Sequence, residues 1–162
     1  MNTRLAVPSD AETLAALISL AYRVEDFFKI GDRTDASEVR DKMKSGAFIL
    51  LLDDTDRDRI AGSVYVTTHD DVGYFGMLSI DPARQGRGLG SMLIVEAENY
   101  CRRAGCTTME LEVVNLRTEL PPYYRRFGYA ESGTRPFTEN ERISQPCHFI
   151  VMSKPLAPIA PA

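Results

Sequence analysis

The chain has 162 residues, 44% of them hydrophobic and 26% charged, which is enough for one sizeable core and short for two. Its net charge of −4 and pI near 5.2 argue against nucleic acid as the main partner, because phosphate binding rewards a basic face. No apolar run approaches the ~18 residues of a membrane span, and the start "MNTRLAVPSDAETL" lacks the basic, apolar, small-residue order of a secretory leader, so a cytoplasmic protein without membrane contact is expected.

In chain order, "LAV" reads as a short first strand, and Pro8, Ser9 and Asp10 supply the chemistry of a helix start. Leu14, Leu17, Ile18 and Ala21 then recur at helical spacing and predict one buried face. "VEDFFKIGDRTD" is irregular, and "ASEVRDKMKSG" predicts a short amphipathic helix stopped by Gly46. Three strand patterns follow, "AFILLLDD", "RIAGSVYVTTH" and "VGYFGMLSI", joined by short acidic turns that favour antiparallel pairing. Past Gly88 the period is helical again, with Leu89, Met92, Leu93, Val95, Ala97 and Tyr100 as a broad apolar surface and Gly105 as the stop. A strand "TTMELEVVN", a short helix "PPYYRRFG" and two strands, "YAESGT" and "PCHFIVMSKPL", complete the pattern. This order predicts an α/β (α+β) fold over residues 1–156: a single mixed, mostly antiparallel sheet flanked by helices on both faces. The proline-rich end, 157–162, is expected to be a flexible tail.

Cys101, Cys106 and Cys147 are odd in number and form no C-x-x-C pair, so neither a disulfide framework nor a zinc site is implied. They read as small apolar side chains. His69 and His148 are isolated, which favours structural or surface roles, and no metal is expected.

The informative stretch is "DPARQGRGLGSMLI". Gly86, Gly88 and Gly90 let the backbone turn tightly and leave amide N–H groups facing one spot, at the start of a long helix where the dipole favours an anion. Arg84 and Arg87 add charge beside it. A phosphate or pyrophosphate is the economical occupant, and a plain glycine-rich turn with solvated arginines is the alternative. The spacing is not a P-loop, since Ser91 and Met92 follow Gly90 where Lys and Ser/Thr are needed. A dinucleotide fingerprint also fails, because its third glycine would fall on Ser91 or Leu93.

What fits is Q-x-x-G-x-G, formed by Gln85, Gly88 and Gly90, after an apolar strand and before a long helix. Together with "VVNLRTELPPYYRRFGY", an Asn after a strand and then an aromatic helix, this pattern resembles the GCN5-related N-acetyltransferase (GNAT) superfamily over roughly residues 3–156. The resemblance implies acetyl-CoA as cofactor. It implies that the backbone of Leu78, Ser79 and Ile80 binds the pantetheine arm, that Gln85, Gly86, Arg87, Gly88, Leu89, Gly90 and Ser91 form the pyrophosphate cradle, and that Arg84 and Arg87 approach the adenosine phosphates. Asn115 matches a residue that contacts the cofactor arm, with a helix cap as its alternative.

Acetylation of an amine needs a neutral nitrogen, a polarised thioester carbonyl and a proton for the departing thiolate. Tyr124 matches the family's general acid, and a phenol of ordinary pKa near ~10 keeps its proton at pH 7; a purely packing role is the alternative. Tyr123 points elsewhere on the helix and reads as packing. Some members place a Glu base four residues before the first pantetheine-binding residue, but that position is Tyr74. Glu110 and Glu112 share one face of the "MELEVV" strand, and Glu112 is the candidate to act through a water, unless it is a structural carboxylate.

The family shapes its acceptor pocket with the first two helices and their connection, so Tyr22, Glu25, Phe27 and Phe28, with Tyr74, are the expected lining; Glu25, Asp26 and Asp32 would attract a cation. A second wall, "TRPFTENERISQP", offers Arg135 and Arg142 for a carboxylate. The expected activity is direct acetyl transfer from acetyl-CoA to an amine of a small molecule, or of a protein N-terminus or lysine. The alternatives are a silent acyl-CoA-binding module and transfer of a longer acyl group or to a hydroxyl. A homodimer is left open.

Overall fold

A computed structural model describes residues 1–137 and 143–158. Its elements are β1 (Asn2–Leu5), α1 (Ala11–Ala21), α2 (Ala36–Lys42), β2 (Ala47–Leu52), β3 (Ile60–His69), β4 (Val72–Ile80), α3 (Leu89–Arg103), β5 (Thr108–Val114), α4 (Leu120–Arg125), β6 (Ala130–Pro136) and β7 (His148–Pro155). This is the expected order of elements. The first strand lies earlier than "LAV" because Asp10 accepts the Val7 amide at 2.7 Å and takes Arg4 in two contacts, at 2.8 and 3.0 Å. Val7 is thereby drawn into the cap of a 3-10 turn.

Among the described residues, seven strands form one sheet in the order β1-β2-β3-β4-β5-β7-β6, in which β4 and β5 alone run parallel. Strand β2 shows why "AFILLL" is apolar throughout: Phe48, Leu50 and Leu52 pack under α1 and α2, while Ile49 and Leu51 pack on the opposite side with α3. A strand covered on both faces needs no polar alternation. On α3 the buried face is Leu89, Leu93, Ile94, Ala97 and Cys101. Met92 and Val95, expected on that face, turn outward, 38% and 48% exposed. Cys101 and Cys106 are buried and Cys147 is half-buried.

Two irregularities in β4 place the site. Pairing between β4 and β5 ends at Tyr74–Glu110, after three partners, so the strands diverge beyond it. Three residues farther on, the β3–β4 register slips by one between Ser63 and Tyr65, and Met77 adopts a left-handed φ of 51°. Two residues, Met77 and Leu78, oppose Val64, which is a β-bulge. The bulge changes faces: Phe75 packs with the α3 core, Met77 with the α1/α2 core, and Leu78 and Ile80 pack against the α3 side again. The Ser79 hydroxyl, buried, donates to the Met77 carbonyl at 2.9 Å and closes the kink.

Candidate active site

Two cavities meet where β4 leaves β5. The first, of about 600 Å³, runs along the start of α3, lined by Ile80, Arg84, Gln85, Gly86, Gly88 and Ser91. The second, of about 460 Å³, lies on the other side of the cleft, over Tyr74, Gly76 and Glu112 and beneath Glu25, Lys29 and Arg33. Tyr22, Leu78, Arg117, Leu120 and Tyr124 line both.

The first cavity is built from backbone. Gly86 and Gly88 have φ of 81° and 74°, a region that side chains rarely adopt. A Cβ on Gly86 would meet nothing within 4 Å, so its requirement there is for conformation rather than room. Gly88 caps α3, and the Ser91 hydroxyl donates to its carbonyl at 2.7 Å. The amides of the first turn of this 15-residue helix are left for a ligand. Gly90 has a steric role, since a Cβ there would come 2.9 Å from the Tyr123 hydroxyl. This cradle suits a diphosphate.

The arginines divide. Arg84 lines the cavity, but its guanidinium is held by Asp53 and lies 3.6 Å from Asp81, so it anchors the loop to the end of β2. The Thr55 backbone and hydroxyl, with Arg84, hold the Asp53 carboxyl down at about 2. Arg87 is exposed. Arg126, which the sequence reading did not single out, lines the same cavity. Asn115 lines neither: its carboxamide oxygen accepts the His148 amide at 2.8 Å and ties β5 to β7.

Tyr124 stands at the junction, 8% exposed. Its ring meets Tyr123, Phe75 and Tyr129 edge-on, at centroid distances of 5.1, 6.0 and 6.4 Å. No described residue hydrogen-bonds its hydroxyl, and burial pushes its pKa well above the ordinary phenol value. The turn after α4 is fixed by an ion pair between buried Glu98 and half-buried Lys154. Glu98 accepts the Tyr129 hydroxyl at 2.7 Å and pairs with Lys154 at 3.0 Å, while Lys154 donates to the Phe127 carbonyl at 2.8 Å. Tyr124 is therefore held by packing and its oxygen stays available.

The second cavity is built from side chains of many elements. Tyr74 folds over Gly76, where a Cβ would lie 2.8 Å from the Tyr74 oxygen. Burial, then Glu112, raises the Tyr74 pKa, and burial pushes Tyr22 up to about 12. Glu112 does face this cavity, alongside Glu110 on the strand, and Arg135 bridges them at 2.8 and 2.7 Å. Glu25 is buried and paired with Arg117 at 3.0 Å, and Arg117 reaches Glu119 at 2.5 Å. Phe28 is fully buried beneath the cavity with Val114 and Phe137, whereas Phe27 is 53% exposed; neither lines it. Asp26 and Asp32 line a smaller adjoining cavity of about 240 Å³. Arg142 lies outside the described residues. Nothing in the sequence pattern marks Arg117 or Arg33 as cavity residues, because each stands alone in a polar loop.

A sheet split at a bulge, with a glycine-turned helix start on one side and a charged pocket on the other, is the architecture of an acyl-CoA N-acyltransferase. The sequence model of the acetyltransferase (GNAT) family matches residues 15–129, and the chain belongs to that family. A mycothiol acetyltransferase of Rhodococcus erythropolis is 35% identical over 91 residues, covering 52% of this chain and 30% of that protein. A streptothricin acetyltransferase of Streptomyces lavendulae is 30% identical over 78 residues, covering 48% and 41%. The chain thus spans less than half the length of these curated relatives. In fold, the phosphinothricin acetyltransferase of Sinorhizobium meliloti, solved with acetyl-CoA, superposes with a TM-score of 0.70 at 15% identity, covering 96% of this chain and 88% of that one.

Proposed function

We propose that the protein is an acetyl-CoA-dependent N-acetyltransferase that transfers an acetyl group directly to the amine of a small molecule, with Tyr124 as the proton donor. The observation that carries this reading is the meeting of two cavities of different chemistry at Leu78 and Tyr124. Acetyl-CoA supplies an activated thioester. The loop and first turn of α3 hold its diphosphate, and the unpaired edge of β4 beyond Tyr74 orients its arm as an added strand would be oriented.

A neutral amine enters from the second cavity. As the new C–N bond forms and the C–S bond breaks, one proton leaves the nitrogen and one reaches the sulfur. Tyr124 can supply the second, because burial keeps its phenol protonated and no described residue competes for the hydroxyl. Glu112 takes the first through a water: Arg135 engages its Oε1 at 2.8 Å, leaving Oε2 without a described partner. No cysteine lines either cavity, which supports direct transfer over an acyl-enzyme.

The test is release of CoA thiol by the purified protein with acetyl-CoA and a pooled amine library, beside Tyr124→Phe. Amine-dependent release that collapses in the variant while acetyl-CoA still binds supports the reading. Tight binding of acetyl-CoA with no release for any amine class would instead indicate a binding module.

A further inference from the structure

The charges around the acceptor cavity are matched on one side and not on the other. Its acids are engaged by groups of the same chain: Glu25 by Arg117 at 3.0 Å, Glu112 by Arg135 at 2.8 Å, Asp41 by Lys44 at 3.2 Å, and Glu38 by the Thr34 hydroxyl at 2.8 Å. Two of its cations are held differently. The Arg33 guanidinium lies over the Tyr22 ring at 5.2 Å, and its nearest carboxylate oxygen, on Glu38, is 4.0 Å away, beyond hydrogen-bond distance. Lys42 lies over the Tyr65 ring at 5.0 Å and has no ion pair among the described residues. The Arg33 side chain is 22% exposed, makes no hydrogen bond to a described residue and lines the cavity, so its donors are open to a ligand there.

A guanidinium that faces a cavity with no hydrogen-bond partner among the described residues can exchange its water for an anion without breaking an ion pair of close contact. The contact with the Tyr22 ring helps to hold the guanidinium in place, and its fork of donors suits a two-point contact with a planar anion. Tyr22 also belongs to both cavities, so an anion on Arg33 sits close to the junction at Leu78 and Tyr124. A polyamine, by contrast, would have to compete with Arg117 for Glu25 and with Arg135 for Glu112.

We propose that the acceptor is an amine bearing a carboxylate a few bonds from its nitrogen, an amino-acid-like zwitterion, and that Arg33 holds the carboxylate while the nitrogen faces the thioester. This rests on the transferase reading above and narrows it. Arg33 is a specificity-determining residue, not a catalytic one.

The experiment measures CoA release with the twenty proteinogenic amino acids, their carboxamides, spermidine and a peptide with a free N-terminus, for wild type, Arg33→Met and Arg33→Lys. Acetyl-CoA binding is measured separately by equilibrium dialysis. The expected result is a kcat/KM ratio of acid to matching amide of about 30 in wild type. That ratio falls towards one in Arg33→Met and to an intermediate value in Arg33→Lys, which keeps the charge but loses the fork. A wild-type ratio near one, a ratio that survives Arg33→Met, or a loss that lowers acid and amide together overturns the inference. So does silence of every acid when spermidine or the peptide responds. Silence of every acceptor while acetyl-CoA binds overturns the inference and the transferase reading together.

Discussion

The cradle at the start of α3 and the cavity beneath Arg33 differ in what they are made of. The first is a contiguous run, Arg84 to Ser91, whose ligand-facing groups are backbone amides positioned by left-handed glycines. The second draws side chains from the α1–α2 connection, α2, β4, β5 and the loop after β5, and its charged members are mostly committed to ion pairs or ring faces. Backbone recognises what all cofactor molecules share, and it tolerates drift in side chains. Side chains recognise what distinguishes one acceptor from another, and a single exchange can redirect them.

The junction between the two should be the most sensitive point. Tyr124→Phe is expected to lower kcat by about 10³-fold, within the range for loss of a general acid, with acetyl-CoA affinity and melting temperature little changed. A loss confined to KM for acetyl-CoA would move Tyr124 into the cradle and erase the contrast.

On the cradle side, Gly86→Ala adds a methyl that touches nothing but must adopt a φ of 81°. A left-handed alanine costs about 1–2 kcal/mol, so KM for acetyl-CoA should rise about tenfold while the acceptor KM holds still. Steady-state kinetics varying each substrate in turn separates the two; an equal rise in both would show that the regions are coupled.

On the acceptor side, Glu112→Gln should lower kcat by about fivefold at pH 7, less than the loss of a dedicated base, because the carboxylate is shared with Arg135 and, in the proposed mechanism, acts through water. An unchanged kcat across the pH range would make Glu112 purely structural.

The smallest effect tests how the cradle is anchored. The Asp53 carboxyl is held down at about 2 in the folded chain, against an ordinary value near ~3.9 when unfolded. A lowered folded pKa adds stability that is present above the unfolded value and disappears as the pH falls through the folded one. Asp53→Asn should therefore melt earlier than wild type at pH 5 to 7, and the gap should close as the pH falls towards 2. A gap undiminished at pH 2 would mean that the ionised carboxylate, held by Thr55 and Arg84, is not what stabilises this anchor.

The same division governs what the sequence could disclose. Gln85, Gly88 and Gly90 stand within six residues, so a backbone device left a local trace, and the alternation of strand and helix periods yielded the order of elements. Arg33 and Arg117 left none, because their meaning comes from Tyr22 and Glu25, which fold back onto them from elsewhere. Asn115 shows the converse: a residue conspicuous by position whose oxygen is used for a β5–β7 tie. The bulge was equally hidden, since "YFGMLSI" reads as an ordinary apolar strand and one residue in a left-handed conformation carries no pattern.

That bulge has an arithmetic of its own. Phe75 faces α3 from an odd position, and Leu78 and Ile80 face it from even ones. Met77 is thus a surplus count that switches the parity of the strand. Excising it would leave Phe75, Leu78 and Ile80 in perfect alternation, with Ser63 still opposite Ser79 and Tyr65 still opposite Gly76. For most strands a one-residue deletion scrambles inside and outside; here it would tidy them. A shortened chain that folds but no longer transfers acetyl groups would identify the extra residue as serving the cleft alone, a length kept by the chemistry that the sheet itself does not need.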